Sequence, residues 1–155
     1  DGVHSIERCY AATSQSLKSL FDCLKDEGVN IAGTILKPNM VTSGSMSESQ
    51  ASVQEVAEMT VKCLNENVPS ELPGVTFLSG GQSDVDATAH LDAMNKIGGF
   101  PWKLSFSYGR ALQQPSLKAW LGKEENVFLA QDALSHRALM NKLAANGAWN
   151  PELEN

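Results

Sequence analysis

Cysteine is scarce and badly spaced for structural work. Cys9, Cys23 and Cys63 are odd in number, irregular in spacing and without a CxxC pair, which argues against a disulfide framework or a zinc site and fits a reducing compartment. Positive charge is also short: 12 Lys and Arg stand against 18 Asp and Glu, for a formal net charge of −6. Such a surface has no basic field for nucleic acid or an anionic membrane, although a local basic pocket for a small anion stays open. No apolar run approaches the ~20 residues of a membrane-spanning helix. The start, DGVHSIERCY, is neither a signal nor a transit peptide, and without an initiator methionine it reads as the interior of a longer chain.

What is present fits one globular domain. Hydrophobic residues make up 42% and charged residues 19% of 155 residues, and a chain of that length can bury roughly 68–70% of its unfolded surface. Leu17, Leu20, Phe21 and Leu24 predict an amphipathic helix over about 7–27, stopped at Gly28. In IAGTILK, residues Ile31, Gly33, Ile35 and Lys37 alternate with Ala32, Thr34 and Leu36; both faces are mainly apolar, as in a parallel strand covered on both sides. Ser47 and Gln50 suggest a capping box before a helix carrying Val53, Val56, Ala57, Val61 and Leu64.

GVTFLSGG predicts a second strand near 75–79, and Ser83, Asp84 and Asp86 cap a helix with Ala87, Leu91 and Met94 on its core face. WKLSFSYGR alternates as a third strand over 102–108. From Pro115 to about Asn146 the pattern is helical, with Val127, Ala130, Leu134 and Leu143 as core candidates, and the segment 147–155 reads as a flexible, frayed tail. The alternation of helices and strands implies a parallel α/β architecture with right-handed crossovers.

Three strand ends carry candidate chemistry. GTILKPNMV places Lys37 at the end of an apolar strand. A free lysine, with a pKa of about 10.4, is protonated and not nucleophilic at neutral pH; burial near another cation would release a neutral amine for Schiff-base formation. The plainer alternative is a lysine leaving the strand for solvent. LSGGQSD ends a strand in two glycines and opens a helix, a turn that offers N–H groups to an anion or is simply tight. SYGRA ends the third strand with Gly109 and Arg110, a forked donor suited to phosphate or an ordinary surface arginine. Successive loops of this kind open on the same rim of a parallel barrel, where loops after the last two strands commonly hold phosphate. His4, His90 and His136 show no ligand spacing, and Asp84, Asp86 and Asp92 read as caps and a solvated helix face.

In this order, GTILKPNMV, GVTFLSGGQS and FSYGRAL resemble the last three strands of class I fructose-bisphosphate aldolase, the Schiff-base type, and the likeness extends through KAWLGKEEN. The resemblance implies an eight-stranded (β/α) TIM barrel of which residues 1–155 supply strands six to eight and the C-terminal helices. It implies that Lys37 forms the imine, that Ser79, Gly80, Gly109 and Arg110 cradle the C1 phosphate, and that Ser107 lines the same pocket. It implies no metal or cofactor, a phosphorylated sugar substrate such as fructose 1,6-bisphosphate, a glycolytic role, a cytoplasmic homotetramer, and dependence on a missing N-terminal half. The family's acid–base glutamate and companion lysines belong upstream of Asp1, and the C-terminal tyrosine of animal-type members has no counterpart here, since Tyr10 and Tyr108 are the only tyrosines. The isolated segment is therefore expected to be inert. The alternatives are another Schiff-base barrel lyase and a non-catalytic, anion-binding half-barrel.

Overall fold

Residues 1–155 are all described by the computed structural model. Ser5 caps the first helix, its hydroxyl accepting the Arg8 N–H at 3.4 Å; α1 (Ile6–Asp26) buries Ile6, Thr13, Leu17 and Phe21 along one face. The next segment departs from the sequence expectation of a strand over 31–37. Ile31–Gly33 is a single 3-10 turn, whose N–H groups at Gly33 and Thr34 donate back to the Asn30 and Ile31 carbonyls at 3.0 Å each, and β1 is only Ile35–Leu36.

The loop that follows is braced by Gln50, whose side-chain amide donates to the carbonyls of Gly44 and Ser47 at 2.9 Å each. Gln50 is therefore not a capping residue. The reciprocal box is Ser52 with Glu55: the Glu55 carboxylate accepts the Ser52 N–H at 2.7 Å and the Ser52 hydroxyl accepts the Glu55 N–H at 3.3 Å. This opens α2 (Val53–Asn67), which is followed by β2 (Gly74–Phe77), α3 (Asp84–Ile97) and β3 (Lys103–Phe106).

The helical stretch predicted from Pro115 onward begins earlier and is broken. α4 (Arg110–Trp120) contains Pro115, which gives up one intrahelical bond, and ends with Leu121 in the left-handed region (φ 55°). A short turn at Glu124–Asn126 leads to α5 (Val127–Ala144). Leu134, expected in the core, lies on the exposed side of α5. The segment expected to fray is instead ordered: Trp149 is buried, its N–H donates to Asp92 at 2.9 Å, and Pro151–Glu154 forms a 3-10 turn.

The three strands form a parallel sheet in the order β1-β2-β3. Ile35 pairs with Gly74, and Gly74 with Lys103; Val75 pairs with Leu36 and Leu104. Parallel partners project to the same side, so the sheet has two unlike faces. One carries Leu36, Val75, Phe77, Leu104 and Tyr108 and is packed under α2 and α3, with Val75 and Phe77 fully buried. The other carries Ile35, Lys37, Thr76, Lys103, Ser105 and Ser107, and no element of the chain covers it. The expectation that β1 is covered on both faces is thus corrected: Ile35 is 59% exposed.

Besides this bare face, β1 and β3 present unpaired edges, and the turn between α4 and α5 exposes Leu121, Phe128 and Leu129. A polypeptide of these 155 residues expressed alone is expected to elute from gel filtration as aggregates or multimers despite helical circular dichroism. A stable, monodisperse monomer would contradict this.

Candidate active site

Parallel pairing sends all three strands out on one rim. The ladder continues past the strand ends, with the Leu78 N–H donating to the Pro38 carbonyl at 3.0 Å and the Ser107 N–H to that of Phe77 at 2.9 Å. Continuing the register by two residues sets Lys37 beside Thr76, which pairs with Ser105. Lys37 and Ser107 thus project on the uncovered face near the rim, and Ser79, Gly80, Gly109 and Arg110 lie in the loops that leave it.

The loop after Lys37 is held from four directions. Pro38 is tied to β2; the Asn39 amide donates to the Thr13 hydroxyl of α1 at 3.0 Å; the Val41 N–H donates to the buried Thr60 hydroxyl of α2 at 2.9 Å; and the Gln82 amide meets the Met40 sulfur at 3.6 Å. Pro38, Met40 and Val41 are buried. The lysine side chain itself is exposed, so the burial anticipated for Lys37 is not provided by this chain. The cause is geometric: its side chain projects from the face that nothing covers.

The turn after β2 takes its shape from two glycines in the left-handed region, Gly80 at φ 60° and Gly81 at φ 86°. Ser79 before them is buried. Neither Gly80 nor Gly81 donates its N–H to a backbone carbonyl, so the turn presents free donors. A Cβ placed on Gly81 would lie 3.7 Å from an Arg110 guanidinium nitrogen and 3.8 Å from an Asp1 carboxylate oxygen. The glycine turn and Arg110 are therefore neighbours, as the rim geometry requires. Arg110 is also the first residue of α4, whose N-cap, Gly109, supplies no side-chain cap. The N–H groups of that first turn add positive potential to the same place.

A polar cavity of 260 Å³ adjoins the turn, lined in part by Thr42, Ser43, Gly80, Gly81, Gln82 and His90. A larger cavity of 650 Å³ lies between α2 and α3 beside Trp149 and includes none of the rim residues. Burial pushes the His90 imidazole below its ordinary range, with the nearby Asp86 opposing weakly, and pushes the Tyr108 phenol upward; that phenol donates to the Ala87 carbonyl at 2.9 Å. No group of three His, Cys, Asp or Glu side chains converges as a metal site, and no helix is long and apolar enough to cross a membrane.

The profile of the family described as "Glycolytic: Fructose-bisphosphate aldolase class-I" matches residues 1–155. The chain belongs to the class-I fructose-bisphosphate aldolase family. It is 53% identical over 150 residues to the "Probable fructose-bisphosphate aldolase class 1" of Xanthomonas axonopodis pv. citri, covering 96% of this chain and 45% of that one. It is 50% identical to "Fructose-bisphosphate aldolase 2" of Caenorhabditis elegans, covering 98% and 42%. Among solved structures, the aldolase of Plasmodium falciparum, crystallised with TRAP and a small-molecule inhibitor, superposes with a TM-score of 0.94 at 47% identity, over 97% of this chain and 43% of that one. The chain thus spans less than half the length of the aldolases it matches.

Within this aldolase segment, Gln82 carries no reading from the sequence, and His90 and Asp92, read there only as lacking ligand spacing and as part of a solvated helix face, are both buried. Gln82 bonds to both Ser79 and His90, while Asp92 is buried, pairs with Lys96 at 2.5 Å and accepts the Trp149 N–H; it is not part of a solvated face. His90 lies three residues after Ala87 and four before Met94, so its place on the core face was available from helical spacing. Gln82 left no comparable signal.

Two outcomes follow for a chain completed to the length of its relatives. Gly80→Ala places a Cβ in a left-handed residue, 3.3 Å from the Leu78 side chain, and should cost about 1–2 kcal/mol in urea unfolding; an unchanged midpoint would contradict the turn geometry. Because His90 is depressed in the folded state, the unfolded chain takes up its proton first. Its contribution is complete above about pH 6.5 and is lost as pH falls toward the folded value. The drop in urea midpoint from about pH 7 to about pH 5 should be smaller in His90→Asn.

Proposed function

We propose that these residues form the covalent and anion-binding part of an enzyme that cleaves fructose 1,6-bisphosphate reversibly into dihydroxyacetone phosphate and glyceraldehyde 3-phosphate. In this reading the three strands are part of an eight-stranded barrel domain, and the uncovered face with Lys37, Thr76, Ser105 and Ser107 looks into its interior. The remaining strands would cover Lys37 and supply the desolvation that an attacking amine requires. The observation that carries the reading is the common rim: a lysine at the end of one strand, with a free-donor glycine turn and an arginine at the ends of the next two.

The chemistry follows from that arrangement. The Lys37 amine adds to the ketone carbon and water leaves, forming an imine. Once protonated, the imine draws in the electron pair of the neighbouring C–C bond; the aldehyde departs and the pair is held as an enamine. Protonation of that carbon and hydrolysis return the amine and release the ketose phosphate. Ser79 and Gly80, with Gly109 and Arg110, would hold the phosphate next to the ketone, turning remote binding energy into orientation of the reacting carbon. Ser107 would line the same pocket. The acid–base groups of the C–C cleavage step would come from the rest of the barrel. A glycolytic, cytoplasmic homotetramer is the matching biological setting.

Borohydride reduction in the presence of dihydroxyacetone phosphate tests this directly in a chain completed to its relatives' length. The peptide containing Lys37 should gain the mass of one reduced ketose adduct, and Lys37→Met should abolish it. Adduct formation on another lysine, or none, would sink the proposal.

A further inference from the structure

The glycine turn is pinned by two side chains to which the proposed reaction gives no part. Gln82 folds back so that its side-chain Nε2 donates to the Ser79 carbonyl at 2.8 Å, and its backbone N–H donates to the same oxygen at 3.1 Å. The peptide that joins Ser79 to Gly80 is planar and trans, so its C=O and N–H point in opposite directions. Holding the carbonyl toward Gln82 therefore holds the Gly80 N–H away from it, free for an anion. Nε2 also meets the sulfur of Met40 at 3.6 Å, three residues beyond Lys37. One amide group thus touches both the turn that offers the donor and the loop that carries the amine.

The orientation of that amide is itself fixed. Gln82 Oε1 can only accept, and it faces the Nδ1 of His90, on the second turn of α3, so the imidazole proton sits on Nδ1. The Ser79 carbonyl can only accept, so a flipped amide would set Oε1 against it; Nε2 therefore faces the carbonyl and Oε1 faces the imidazole. His90 is only 8% exposed and packs on the core side of α3. Desolvation favours its neutral form.

We infer that Gln82 is a positioning residue that keeps the Ser79–Gly80 peptide turned with its Gly80 N–H outward, with His90 holding the other end of its amide, and that this donor selects ketoses bearing a phosphate beside the carbonyl. The inference rests on the reading of Lys37 as the imine-forming residue. It concerns selection between ketoses, not imine formation as such, so a phosphorylated and an unphosphorylated ketose should respond differently to its loss.

The test uses a chain completed to the length of its relatives, with borohydride-trapped adduct measured against concentration of dihydroxyacetone phosphate and of dihydroxyacetone. Gln82→Ala should raise the half-saturating concentration of the phosphorylated ketose about tenfold or more, the loss of roughly one charge-assisted hydrogen bond, and leave trapping of the unphosphorylated ketose within about twofold. His90→Asn, which keeps an N–H near the position of Nδ1, should retain the preference, and His90→Leu should lose it. Equal loss with both ketoses in Gln82→Ala would mean general disruption and overturn the inference, as would an unchanged preference, or identical behaviour of His90→Asn and His90→Leu. If the unsubstituted protein traps neither ketose, the imine reading and the inference fall together; if it traps both and only the preference is unmoved, the inference alone falls.

Discussion

Parallel hydrogen bonding of Gly74–Phe77 to a strand on each side is the constraint on which the rest depends. In a parallel sheet every strand leaves at the same edge, so residues 37, 79–80 and 109–110, far apart in sequence, reach one rim without any contact between their side chains having to form first. The same pairing sorts the residues of each strand by face. Val75, Phe77 and Leu104 go under the helices, and the lysine, threonine and serines go to the other side. Packing side chains and polar side chains are thereby placed on opposite faces of one sheet.

Rigidity then comes from the loops as much as from the strands. The segment after Lys37 is bonded to α1, α2, β2 and the glycine turn, and that turn is bonded in its own right to α3 through His90. β1, at two residues, is too short to fix a side chain by pairing alone; the loop bonds compensate for it. This arrangement also explains how a partly exposed sheet keeps its rim in order. What it leaves undone is the covering of the polar face, and that bare face agrees with a chain that spans less than half the length of the family members it matches.

Much of this was legible in the residue pattern, for identifiable reasons. α1, β2, α3 and β3 follow from periodicity and from Ser83 as a cap, because local spacing and tertiary burial agree there. The three motifs at the strand ends located the rim. β1 is shorter than its alternation suggests because residues 31–33 close a 3-10 turn on themselves, which alternation cannot reveal. Pro115 looks like a helix start, although a helix opened at Arg110 tolerates it in its second turn. The tail reads as frayed from its own residues because its anchors, Asp92 and Lys96, are more than fifty residues away in sequence. An apolar strand suggests burial of Lys37, but alternation does not show that no element of the chain covers the face from which it projects. Gln82 was invisible for a related reason: its role is defined by a carbonyl and an imidazole that only the folded turn brings to it.

The central claim is that the amine of Lys37 and the donors of the Ser79–Gly80 turn act on one molecule. A crystal structure of the protein completed to the length of its relatives and soaked with dihydroxyacetone phosphate would examine that most directly. The account predicts continuous density from Lys37 Nζ to the ketone carbon, with a phosphate oxygen in hydrogen-bond range of the Gly80 N–H and the Arg110 guanidinium. A ligand bonded to another lysine, or a phosphate seated away from that turn, would contradict it.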